Sequence, residues 1–177
     1  MSSQSFADLG VSPPVVAALT ERGIESPFAI QQLVIADVLA GHDVLAKSPT
    51  GSGKTLAFGL PMVDIVEATD QHPSALVLAP TRELASQIVD ELYSVAHARA
   101  LRIKAVYGGV GMEKQGREAA RAHIIVATPG RLEEHLQRGT FSLKNVRLLV
   151  LDEADRMLDM GFRPAVDRIV RQVPQDR

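Results

Sequence analysis

Apolar and polar positions along this chain follow two different rhythms. Short aliphatic runs with little internal alternation stand at Val44–Ala46, Ala75–Ala79, Ile103–Tyr107, Ile124–Ala127 and Val146–Leu151. Runs of this kind suit strands buried on both faces. Between them the apolar period is helical. Leu84, Ile88, Leu92 and Val95 make one stripe, and Val166, Ile169, Val170 and Val173 make another. Ser12-Pro13-Pro14 reads as an N-cap followed by proline at the first helical position, with Gly23 as the stop. A second helix is predicted from about Phe28 to Leu39, ending at Gly41. Strand and helix in alternation predict βαβ units. The expected fold is α/β, with a mostly parallel sheet and helices on both faces. In such sheets ligands bind at the carboxyl ends of the strands.

Composition narrows the picture. The 177 residues are 46% hydrophobic and 23% charged, enough for one domain with a good core. There is no cysteine, which excludes disulfides, thiolate chemistry and cysteine metal sites, and fits a reducing compartment. His42, His72, His97, His123 and His135 show no metal-ligand spacing and read as structural or surface groups. No signal peptide is visible at the N-terminus, and no apolar run approaches the ~18 residues of a membrane span. A cytoplasmic protein without a membrane partner is expected. The formal charge of −2 gives no global nucleic-acid signature, so any such site must be local.

The first predicted strand runs into Ser48-Pro49-Thr50-Gly51-Ser52-Gly53-Lys54-Thr55, and an apolar helix follows. Two glycines let such a loop turn its backbone N–H groups inward as an anion nest. The next helix brings the positive end of its dipole to the same place. Lys54 can reach β- and γ-phosphates, and the Thr55 hydroxyl can ligate Mg²⁺. A loop of this type usually opens with Gly or Ala. Here it opens with Ser48-Pro49, and proline removes one N–H.

The last predicted strand ends in Asp152, Glu153 and Asp155. Alone, such a cluster would be a solvated helix start. Paired with a nucleotide phosphate loop, Asp152 can hold Mg²⁺ through water. Glu153 can then orient or deprotonate the water that attacks the γ-phosphate.

Asp152-Glu153-Ala154-Asp155 spells D-E-A-D. With it stand Pro80-Thr81-Arg82-Glu83-Leu84-Ala85, Gly108-Gly109 and Thr128-Pro129-Gly130-Arg131. Upstream are Gly23-Ile24-Glu25-Ser26-Pro27-Phe28-Ala29-Ile30-Gln31 and a lone Phe6. This ordered set closely resembles the first RecA-like domain of DEAD-box ATP-dependent RNA helicases, a bacterial one being expected. The resemblance implies a RecA-like P-loop domain that uses ATP and Mg²⁺ and binds RNA through its backbone. It implies that Gln31 reads the adenine edge and that Phe6 packs on the base. A side-chain amide offers one donor and one acceptor, which match adenine and mismatch guanine. It implies RNA contacts at Thr81, Arg82, Gly108, Gly109, Thr128 and Arg131. Asp155 resembles a residue that couples the ATP site to the next motif. Phe28 stands where the family usually has threonine, and Ala29 where proline is common.

The family continues into a strand ending in Ser-Ala-Thr and then into a second RecA-like domain that contributes arginine fingers. Neither is found in these 177 residues. The expectation is therefore N-terminal helices with the adenine motif over 1–40, a core over 41–177, and a second domain of the native chain as partner. Alternatively, the chain is a nucleotide-binding fragment without helicase activity. A P-loop ATPase acting on DNA or protein is disfavoured by Gln31 together with the D-E-A-D quartet. The strands at 44–47 and 146–151 would flank the Ser-Ala-Thr strand. They are expected either to close on each other, to receive a strand from elsewhere, or to belong to a larger folded protein.

Overall fold

The computed structural model describes residues 4–49 and 51–176. Among them the elements run α1 (Pro13–Glu21), α2 (Ala29–Leu39), α3 (Lys54–Ile65), β1 (Ala75–Leu78), α4 (Arg82–Ala98), β2 (Ile103–Val106), α5 (Met112–Ala120), β3 (Ile124–Ala127), α6 (Pro129–Gln137), β4 (Leu148–Leu151), α7 (Ala154–Asp159) and α8 (Arg163–Gln172). They form two compact units. Residues 1–68 with 91–101 make the first, and residues 69–90 with 102–177 make the second. The division falls inside α4.

The second unit holds the sheet. Its four strands are all parallel, in the order β2-β3-β1-β4. The register is level at the carboxyl ends: Leu78 of β1 lies opposite both Ala127 of β3 and Leu151 of β4, and Val106 of β2 lies opposite Ala127. Every loop that leaves a strand therefore starts from the same edge. The central strands β1 and β3 are buried along their whole length, as their unbroken aliphatic runs predict. Leu76, Leu78, Ile125 and Ala127 share a core with Leu132 of α6, Met157 of α7, and Val166 and Ile169 of α8.

Two predicted strands behave differently. Residues 44–46 form no strand; Leu45 is 101% exposed and Val44 40%. An isolated extended segment leaves its backbone groups to water, and among the described residues no strand pairs with it. The run at 146–151 shortens to β4, half-buried and ending in an exposed Leu151. Among the described residues β4 pairs only with β1, so it is an edge strand, not one buried on both faces.

In the first unit α2 packs on α3, with Ile35, Leu60, Met62 and Val63 fully enclosed. Gly59 is required there, because a Cβ would lie 2.2 Å from the Leu92 side chain of α4. Ser12 occupies the cap position of α1, but its hydroxyl is given to Asp64 at 2.6 Å and not to the helix. Asp64 also pairs with Arg99 at 3.5 Å.

Candidate functional site

The loop at 48–55 lies in the first unit. Gly51 and Gly53 both adopt left-handed backbone, with φ of 82° and 84°. Ser48 and Ser52 join their hydroxyls across the loop. Thr50, expected among the phosphate contacts, lies outside the described residues. Pro49 is exposed, and Lys54 and Thr55 form the half-buried first turn of α3. The N-terminus of this 12-residue helix thus opens onto the loop, as anion binding requires.

Gln31 is built into the loop. It is 2% exposed; its Nε2 donates to the Gly53 carbonyl at 3.0 Å, and its Oε1 accepts from the Phe28 N–H at 2.8 Å. A second amide hydrogen and a second oxygen lone pair remain for an adenine edge, but at this burial the amide must be uncovered to reach one. The expected role of Phe6 meets a plainer obstacle. Phe6 is 2% exposed, so its ring is core and has no face free for a base. The exposed aromatic beside the loop is Phe28, at 59%. Its ring edge lies 2.6 Å from where a Gly53 Cβ would stand. Phenylalanine cannot cap α2, and only the Gln31 half of a capping box is made.

In the second unit the level strand ends bring the remaining motifs onto one edge. Across the sheet the order is Tyr107-Gly108-Gly109 after β2, Thr128–Arg131 after β3, Thr81-Arg82 after β1 and Asp152-Glu153 after β4. Thr81 caps α4, its Oγ1 accepting from the Leu84 N–H at 3.2 Å. The Arg82 guanidinium stacks over the Tyr107 ring, 4.7 Å from its centroid. Gly108, Gly109 and Gly130 are exposed, and Thr128 is half-buried with its hydroxyl not used as a cap. Arg131 departs from its expected role. Its side chain is only 12% exposed, and Nη1 is turned inward onto the Val110 carbonyl and Gln115 Oε1, at 3.0 and 3.2 Å.

The acids follow β4. The Asp152 N–H donates to the Leu78 carbonyl at 2.9 Å, extending the β4–β1 ladder by one residue. That places its carboxylate at the strand end and buries it to 4% exposure. Glu153 then takes left-handed backbone, φ 52°, which costs a residue with a Cβ about 1–2 kcal/mol. Strain of this kind collects at functional positions. Arg156 holds the Glu153 carboxylate at 3.2 Å. Asp155 is exposed and accepts from the Arg156 N–H.

Comparison with known proteins identifies the family and the fold. The sequence profile described as DEAD/DEAH box helicase matches residues 28–177. The chain belongs to the DEAD/DEAH box helicase family. It is 42% identical over 174 residues to the DEAD-box ATP-dependent RNA helicase CshA of Geobacillus kaustophilus, covering 98% of this chain and 37% of that protein. It is 46% identical over 173 residues to the ATP-dependent RNA helicase DeaD of Klebsiella pneumoniae, covering 97% of this chain and 27% of that one. A crystal structure of a DEAD box protein from the hyperthermophile Methanococcus jannaschii superposes with a TM-score of 0.93 at 39% identity, over 98% of this chain and 48% of the other. The fold is thus the RecA-like one expected. This DEAD-box chain spans about a third of the length of these curated relatives.

Three residues that hold or flank these loops are not legible in the sequence. Gln115 and Arg156 look like ordinary surface residues of polar helices, and only the folded geometry shows what they hold. Phe28 departs from the family's usual residue, but nothing in the sequence marks it as the exposed aromatic.

Proposed function

We propose that this chain is the first ATP- and RNA-binding domain of an ATP-dependent RNA helicase. The observation that carries the RNA half is the level parallel edge that sets Thr81-Arg82, Gly108-Gly109 and Thr128 side by side with the acids. Hydroxyls and open glycine backbone suit phosphate and sugar contacts, which position a strand without reading its sequence. The nucleotide half rests on the left-handed glycines and helix start at 51–55. Lys54 is the charge for the β- and γ-phosphates, and Gln31 sets a preference for adenine. Asp155 couples ATP use to motifs elsewhere in the protein. The functional boundary is drawn at residues 40/41, between the helices of the adenine motif and the core.

The donor chemistry of each unit, taken by itself, suits Mg²⁺. The Thr55 hydroxyl and Asp152 carboxylate are hard oxygen ligands, and Mg²⁺ is usually held by one or two carboxylates with water and substrate phosphates. When bound, the ion supplies charge to neutralise the phosphates. Glu153, aimed by Arg156, orients the attacking water and takes its proton.

By itself the chain is a nucleotide-binding fragment, a reading favoured by its spanning 37% of its relative's length. Arginine fingers supplied by a second domain are worth ~10³–10⁵ in rate where measured. The test is calorimetric titration with ADP, ATP and GDP. Adenine nucleotides are expected to bind more tightly than GDP, and Lys54→Ala to weaken the triphosphate. Equal affinity for ADP and GDP overturns the role of Gln31. No binding of either overturns the nucleotide site.

A further inference from the structure

Gln115 is a polar side chain in an unusual position. It sits on α5, is 5% exposed, and bonds through both its amide nitrogen and its amide oxygen. Nε2 donates to the Tyr107 carbonyl at 2.9 Å. Oε1 accepts from Arg131 Nη1 at 3.2 Å and faces His135 Nε2 at 2.9 Å. The donor pattern fixes two further details. An amide oxygen only accepts, so the fully buried His135 carries its proton on Nε2. A flipped amide would set its NH₂ against the Arg131 guanidinium and its oxygen against the Tyr107 carbonyl, so the orientation of Gln115 is unique.

These bonds converge on one loop. Tyr107 and Val110 have their carbonyls drawn inward by Gln115 and Arg131. Arg82 covers the Tyr107 ring. Between the two anchored carbonyls Gly109 turns left-handed, with φ 87°. Among the described residues, the backbone N–H groups of 108–111 donate to no protein acceptor, and all four residues are exposed. The loop is thus held by two of its carbonyl oxygens, while the N–H groups of 108–111 are left without a protein acceptor among the described residues. Successive free N–H groups in a turned backbone form an anion concavity.

We propose that Gln115 is a positioning residue for RNA: with Arg131 and His135 it forms a buried brace that fixes the 107–111 loop so that its N–H groups can receive a backbone phosphate. Arg131 then acts through the loop as well. This assignment rests on the RNA reading above. It reaches beyond it by giving the alignment of that loop to a buried side chain that touches no RNA.

The test uses the chain itself with Gln115→Met, which keeps volume and removes the bonds, and Gln115→Glu, which keeps the acceptor but sets an oxygen against the Tyr107 carbonyl. The first readout needs no ligand. Amide order parameters and shifts of 107–111 are expected to change in both variants, while β1, β3 and the loop at 48–55 stay as in the parent. An unchanged loop overturns the brace. The second readout is binding of a ten-residue oligouridylate against salt. Affinity is expected to fall about tenfold, and the slope of log K against log salt to shrink by ~0.7 for each single-strand phosphate that the loop no longer engages. ADP affinity is expected to stay the same. A disturbed loop with full RNA affinity and slope overturns the role in RNA binding, and an equal loss of ADP affinity marks Gln115 as a merely structural residue. If the parent chain bound no oligouridylate at low salt while the variants still disturbed the loop, the RNA reading would fall and the brace would stand without that purpose.

Discussion

The Gln31 side chain donates to the carbonyl of Gly53 at 3.0 Å. A residue expected to read a base is, in this structure, also a strut of the loop at 48–55. Gln31→Ala is therefore expected to have two effects in a calorimetric titration. It lowers the preference for ADP over GDP, and it weakens both by about fivefold, the worth of one net hydrogen bond of ~1 kcal/mol. A loss confined to ADP would show that the strut contributes nothing.

Gly53 is fixed twice, by φ 84° and by neighbours. An added Cβ would stand 2.5 Å from Gln31 Nε2 and 2.6 Å from the Phe28 ring. Gly53→Ala is expected to destabilise the chain by about 1–3 kcal/mol in chemical denaturation, the usual cost of overpacking. It is also expected to abolish nucleotide binding.

Phe28 stands at the cap of α2 without capping it. Phe28→Thr is expected to stabilise the chain by about 1 kcal/mol, since a hydroxyl there can accept a free N–H of the first turn. Thermal melts of the two forms measure the difference.

Glu153 is held in a conformation that glycine adopts freely. Glu153→Gly is expected to melt no lower than the parent, because relief of ~1–2 kcal/mol of strain offsets the ~0.5–1 kcal/mol entropic penalty of glycine. In a helicase that carries this domain, both Glu153→Gly and Glu153→Gln are expected to stop ATP hydrolysis, and Glu153→Gln to leave ATP binding intact. A Glu153→Gly form that melts several degrees lower would contradict the strain reading.

Burial holds the His135 imidazole below its ordinary pKa of about 6.5, and Arg131 adds to the effect. His72 is lowered in the same way, by burial first and by His123 next. A depressed folded pKa means that the unfolded chain binds more protons below about pH 6.5. Stability from these groups is thus complete above that pH and is lost as pH falls towards the folded values. The melting temperature is expected to fall between pH 7.5 and 5.5. His135→Gln, which can still donate to Gln115, is expected to flatten that fall; an unchanged slope would place the titration elsewhere.

How much of this is legible in the sequence depends on whether the signal is local. The aliphatic runs at 75–78 and 124–127 announce buried central strands, because a strand enclosed on both faces needs no alternation. The glycine turn at 51–53, the helix that starts at Lys54 and the acids at the end of β4 are legible because glycines, lysine and carboxylates at fixed spacing punctuate strand and helix ends. What fails is non-local. Residues 44–46 have a strand's composition, but a strand exists only with a partner. Phe6 resembles a base-packing aromatic, and burial gives it to the core. Arg131 resembles an RNA contact. Its 12% exposure and inward Nη1 follow from the placement of Gln115 across the sheet edge, which no spacing within either helix reveals.

The open side of β4 has a colloidal consequence. Leu148–Leu151 present one row of backbone donors and acceptors with no ladder partner among the described residues. Such a row is a template for another strand. With a net charge of −2 and an isoelectric point near 6.2, copies of the chain repel one another weakly in mildly acidic buffer. Solubility is then governed less by the melting of the core than by how often two bare edges meet. Light scattering that rises with concentration well below the melting temperature, and that Leu151→Lys at the exposed end of the strand suppresses, would be its signature.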